Sequence, residues 1–224
     1  MNTIFMRENE KLKDSVMRLA GEVEHRLSDV LKAVARCDEL TLQTLEALDE
    51  EIDEREVLIE EECLKILALH QPVAKDLRFV VAMLKINNDL ERIGDIVVNI
   101  AERGVRLIAT TAVSDLQEKL MRMGQLAREM LRDSLDALIS LDRAKAVEIL
   151  TRDDALDALN AQVIDDVIAR ATLAHNGSMT ESLILIYGIA RDIERIGDHA
   201  TNIAEDVAYL VDGTIIRHKP PVQK

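Results

Sequence analysis

The chain has 224 residues, 48% of them hydrophobic but only 2% aromatic and none Trp, so its core must be built of Leu, Ile, Val, Ala and Met. With three prolines and eight glycines, that composition reads as all-α. A net charge of −14 argues against a nucleic-acid partner and suits cations or basic protein surfaces.

The opening "MNTIFMREN" lacks the apolar h-region of a signal peptide. No apolar run approaches the ~18 residues of a membrane span. Helical periodicity then runs almost throughout. Leu12, Val16, Leu19, Val23, Leu27, Val30 and Val34 advance in steps of three or four, which puts them on one stripe. Helices are expected at about 8–36, 41–69, 73–109, 115–140, 143–171 and 179–211. Pro72 is read in the first turn of the third helix. "SDLQ" from Ser114 and "SMTE" from Ser178 have the form of capping boxes, and Gly213 suits a C′ position. Cys37 and Cys63 have no metal-ligand spacing and read as buried free thiols of a reducing cytosol.

The stretch "DLERIGDIVVNIAE" (89–102) returns as "DIERIGDHATNIAE" (192–205). Asp49 and Asp53 of "LDEEIDE" likewise match Asp153 and Asp157 of "RDDALDA". Three helices followed by three more in the same order make a tandem duplication, two pseudo-symmetric three-helix bundles. The expected division is 1–111, 112–213 and a C-terminal tail at 214–224. Within the repeat the carboxylates stay while Ile96, Val97 and Val98 become His199, Ala200 and Thr201.

On a helix Glu91, Asp95, Asn99 and Glu102 fall within ~80° of one another, and Glu194, Asp198, Asn202 and Glu205 occupy the same arc. Asp49 and Asp53, like Asp153 and Asp157, lie one turn apart. Like charges at this spacing cost a helix a few tenths of a kcal/mol per pair, which a hard cation would cancel. These twelve residues are therefore the candidate metal ligands, for a divalent or trivalent ion such as Fe, Zn, Mn or Mg. The competing reading is a solvated acidic surface. Arg92 and Arg195 flank the stripe, His199 falls on its core side, and mid-helix Gly94 and Gly197 fit close helix packing or backbone access beside the stripe. No phosphate loop, nucleophile elbow or Glu-x-x-His is present.

The paired "ERIGD…NIAE", with "DEEID" and "QPVAKDLR" in the first half, closely resembles the PhoU family over about residues 8 to 218. That resemblance implies a cytoplasmic, usually dimeric, all-α regulator of phosphate homeostasis. Such proteins link the high-affinity phosphate ABC transporter to a phosphate-sensing histidine kinase and keep the starvation response off when phosphate is plentiful. Membrane association would then be peripheral, through those partners. The family's E/D-x-x-x-D metal motif is matched by Glu91–Asp95 and Glu194–Asp198. "QPVA-DLR" occurs once, as Gln71 to Arg78, so the two sites are expected to be unequal. Two other readings stay open: a carboxylate-bridged metal enzyme, and a metal-free helical scaffold.

Overall fold

The computed structural model describes residues 3–46, 49–110, 114–173 and 177–214, apart from the side chains of 49, 50 and 114. Those residues form α1 (Thr3–Arg36), α2 (Glu39–Glu46), α3 (Asp49–His70), α4 (Ala74–Ile108), α5 (Ser114–Ser140), α6 (Arg143–Ala171) and α7 (Gly177–Asp212). The helix expected at 41–69 is α2 and α3, either side of residues 47–48, which are outside the described residues. No strand occurs among the described residues. No helix there is long and apolar enough to cross a membrane.

The first bundle packs α1, α3 and α4, with short α2 against α1 and α4; the second packs α5, α6 and α7. The α1 stripe from Leu12 to Val34 is buried, and its counterpart on α5 is Leu116, Leu120, Met123, Ala127, Leu131 and Leu138. Each lies 104 positions after its partner (116 against 12), so the duplication preserves the core register. Full burial of each large aliphatic side chain contributes about 1.5–3 kcal/mol against leaving it in water.

The turn after the first helix of each half is duplicated too. Cys37 and Leu141 adopt φ of 53° and 51°. The next N–H closes the helix, Asp38 onto the Ala33 carbonyl at 2.9 Å and Asp142 onto Ala137 at 3.0 Å. The same aspartates then open the following helix, accepting from the N–H of Thr41 at 3.2 Å and of Lys145 at 3.1 Å. This role corrects the reading of Cys37, which is exposed on the turn. Cys63 is buried, and burial, with Glu62 and Glu60 nearby, pushes its thiol up to about 12.

Pro72 lies ahead of α4, whose N-cap is Val73, so it precedes the first turn instead of forming it. Helix α7 begins at Gly177, which puts Ser178 inside the helix, and Glu181 pairs with Arg106 of α4 at 2.9 Å. Ser114 starts α5, but its side chain is outside the described set. Gly213 does end α7, at φ 72°, its N–H on the Tyr209 carbonyl at 2.8 Å. The tail from 215 onward is outside the described residues.

The two bundles meet chiefly through α4 and α7, which run antiparallel. Lys85 near the start of α4 pairs with Asp206 near the end of α7 at 3.1 Å. Arg103 near the end of α4 pairs with buried Asp192 on α7. Gly188 permits that crossing: a Cβ there would stand 2.8 Å from Arg103 Nε. Between these pairs, His199 Nδ1 lies 2.8 Å from the Asp89 carboxylate. Asp89 and Asp192, the first residue of each repeated motif, thus both serve the contact between halves.

Candidate metal centre

Asp53 from α3 meets Glu91 and Asp95 from α4, with one carboxylate oxygen of each within 4.8 Å of the others. The convergence has a local cause. A Cβ on Gly94 would lie 2.9 Å from Ile52 Cδ1, so the missing side chain lets α3 settle against α4 one residue before Asp53. Gly197 accommodates Leu156, the residue before Asp157, even more closely. The glycines are thus packing devices that set the helix spacing beside the acidic stripe. Gly197→Val is expected to lower stability by about 1–3 kcal/mol through overpacking, read as a drop in urea midpoint. An unchanged midpoint would mean that α6 shifts without cost.

Burial, then Asp95, raises the Glu91 carboxyl above its ordinary value, with Asp53 adding to it and Arg92 opposing. Burial, then Asp53, raises Asp95. Arg92 Nε is 3.4 Å from Glu91 and its Nη1 3.7 Å from Asp95, close enough to soften the repulsion. Glu91 Oε2 is nonetheless buried without a hydrogen bond. An all-oxygen set of three carboxylates, one with a buried oxygen that makes no hydrogen bond, fits a hard cation.

In the second half Asp153, Asp157, Glu194 and Asp198 keep the same places. Burial, then Asp157 and Asp198, raises Asp153; burial, then Glu194 and Asp157, raises Asp198. Their oxygens do not reach the same closure, since the only such group among the described residues is the first. The Thr201 hydroxyl, 3.4 Å from Asp153, supplies a donor where the first half has Val98.

The remaining candidates lie apart. The Asn99 amide donates to the Asp95 carbonyl of its own helix at 2.9 Å. Glu102 is exposed. Asn202 donates to Asp89 at 3.3 Å. With Glu205 it lines a separate cavity of about 570 Å³ that also holds Glu56, Glu60 and Asp89. The side chain of Asp49 is outside the described set. Sequence reading missed Glu56, half-buried on the Asp53 face of α3, whose carboxyl is raised by burial, then by Glu60 and Asp53.

A family model described as the PhoU domain matches residues 16–104 and again 120–207, one copy for each bundle. The chain belongs to the PhoU family. It is 34% identical over 214 residues to the phosphate-specific transport system accessory protein PhoU homolog of Pseudomonas putida, covering 96% of this chain and 83% of that protein. A protein of the same description from Caulobacter vibrioides is 34% identical over 210 residues, covering 94% and 90%. The crystal structure of PhoU from Pseudomonas aeruginosa superposes with a TM-score of 0.89 at 31% identity, over 94% of this chain and all of that one. The phosphate transport system regulatory protein PhoU from Streptococcus pneumoniae gives 0.85 at 29%, over 94% and 98%. The duplicated all-α bundle of this PhoU-family chain is thereby matched along almost its whole length.

Proposed function

We propose that this chain is a regulatory adaptor of phosphate homeostasis. It acts at the cytoplasmic face of the high-affinity phosphate ABC transporter as a homodimer. Through a sensor histidine kinase it keeps the starvation response off when phosphate is plentiful. One observation carries the reading: nearly end-to-end kinship with proteins named as accessories of phosphate-specific transport. A metal-enzyme role has no comparable support.

The acidic clusters support metal binding as part of that role. Asp53, Glu91 and Asp95 would hold one ion, and Asp153, Asp157, Glu194 and Asp198 the other. A bound cation would cancel the carboxylate repulsion and tie the middle helix of each bundle to the last.

Deleting the gene in its source organism is expected to switch on a phosphate-starvation reporter in phosphate-rich medium, with a plasmid copy restoring silence. A reporter that stays silent without the gene would overturn the adaptor reading. Elemental analysis after dialysis tests the metal separately. Stoichiometric metal is expected, with the fraction most resistant to chelator lost in Glu91→Ala/Asp95→Ala, because the first cluster is the closed one. Metal-free protein that still represses the reporter would leave the adaptor standing and remove the metal sites.

A further inference from the structure

A groove of about 730 Å³ runs between α1 and α3, on elements that the metal clusters use only at Asp53. Its rim carries Lys11 and Arg18 from α1 and Arg55 and Lys65 from α3, with Leu58 on its wall. Leu12 and Ile59 form a buried floor, while Leu58 is 64% exposed. One carboxylate, Glu62, also lines it. Four cations around one groove stand out in a chain of net charge −14.

The fold consumes these charges only in part. Arg55 pairs with Glu22 at 2.9 Å, but Glu22 is already held by Arg26 at 2.6 Å. Among the described residues Lys65 pairs only with Glu62 on its own helix, at 3.2 Å. Lys11 and Arg18 make no ion pair among the described residues, and Arg18 donates only to the Ser15 hydroxyl at 3.3 Å.

The second bundle supplies an internal comparison. At the offset of 104, Lys11 becomes Asp115, Arg55 becomes Leu159 and Lys65 becomes Ala169; only Arg18 keeps a cation, as Arg122. There the helices are strapped across the groove by Asp115–Arg170 and Lys119–Asp166. The duplicated scaffold therefore folds without the cation rim and bridges the equivalent pair of helices with ion pairs. In the first bundle the groove stays open and basic.

The geometry narrows the occupant. Arg55 and Lys65 are ten residues apart on a helix, about 15 Å. Cations so spread do not converge on one phosphate or carboxylate group; they suit an extended anion. An inorganic polyanion would gain nothing from Leu58 and the apolar floor, whereas an amphipathic helix lays an apolar ridge into such a groove. The Lys and Arg stems would extend the apolar contact and keep their charged heads on the rim.

We propose that the α1–α3 groove docks an acidic amphipathic helix of a protein partner, its apolar ridge on Leu58 and the floor and its carboxylates on Lys11, Arg18, Arg55 and Lys65. The proposal rests neither on the metal clusters nor on a role in phosphate signalling. Its test uses the full chain and a fluorescein-labelled synthetic peptide with Leu at every third or fourth position flanked by Glu. Fluorescence anisotropy at low salt is expected to show saturable binding that weakens several-fold at about 0.3 M salt. Lys11→Glu/Lys65→Glu and, separately, Leu58→Asp are each expected to weaken it about tenfold, and Arg122→Glu on the second bundle to leave it unchanged. Circular dichroism confirms that each variant is folded, and the exposed Leu58 position keeps the test available should the double variant not fold. No saturable binding, or binding indifferent to both groove variants, overturns the proposal. So does equal binding by a peptide with Ser in place of Leu, or tighter binding of long-chain polyphosphate that Leu58→Asp does not affect.

Discussion

Arg103→Met is expected to destabilise the protein by about 2–3 kcal/mol, because truncating the half-buried partner of the Arg103–Asp192 ion pair strands a buried charge. The stranded group is Asp192, only 4% exposed on the face of α7 that packs against α4. Burial already raises its carboxyl above the ordinary value, even though Arg103 and Arg195 pull it down. Without Arg103 the rise would be larger. A carboxyl with a raised folded-state pKa imposes a penalty that is fully present above that pKa and disappears as pH falls below its unfolded value. The deficit of Arg103→Met should therefore be greatest at neutral pH and shrink under mild acid, as measured by urea unfolding at several pH values. Adding Asp192→Leu should recover most of the loss, since the buried carboxylate that Arg103 no longer neutralises is then replaced by an apolar side chain. A single variant within about 0.5 kcal/mol of wild type at neutral pH would show that the Asp192 charge is stabilised elsewhere.

This contact also answers why polar residues recur in the two motifs. Recurrence has two separate causes that look identical in sequence. Glu91 and Asp95 recur as Glu194 and Asp198, which turn toward the middle helix of their own bundle. Asp89 recurs as Asp192, and each of these turns toward the other bundle, onto His199 and Arg103. Helical periodicity places a residue around its own axis but does not say which neighbour lies on that side. Asn99 illustrates the same limit: it falls within the acidic arc, yet its amide is taken by the backbone of its own helix. The stripe from Leu12 to Val34 was legible because a core needs only the correct face.

The asymmetry between bundles has two parts. "QPVAKDLR" occurs once, from which unequal sites are expected, but the difference in how closely the carboxylates approach in the two clusters lies in side-chain positions that no spacing rule carries. The basic groove joins residues some fifty positions apart, such as Lys11 and Lys65, and neither helix alone is notably cationic. Comparing the halves at fixed offset, Lys11 against Asp115 and Lys65 against Ala169, would have exposed it.

Asp95→Asn is expected to change the sign of its effect with metal. In chelator the variant should be more stable than wild type by about 0.5–1 kcal/mol, because it removes one of three crowded carboxylates. Burial and Asp53 hold the wild-type Asp95 carboxyl above its ordinary value, so its charged form is the disfavoured one in the apo fold. That penalty is complete at neutral pH and fades as pH falls through the raised folded value toward the ordinary carboxylate value, so the gap between variant and wild type should close in mild acid. With a divalent cation present the order should reverse. Binding to the folded state alone stabilises wild type by mass action, and a site that has lost one anionic ligand should bind at least about tenfold more weakly. Thermal melts of both proteins in chelator and in millimolar Mn²⁺ or Zn²⁺ measure the crossover. If Asp95→Asn is the less stable protein even in chelator, the carboxylate holds α3 and α4 together by its own contacts, and repulsion is not what the cation relieves.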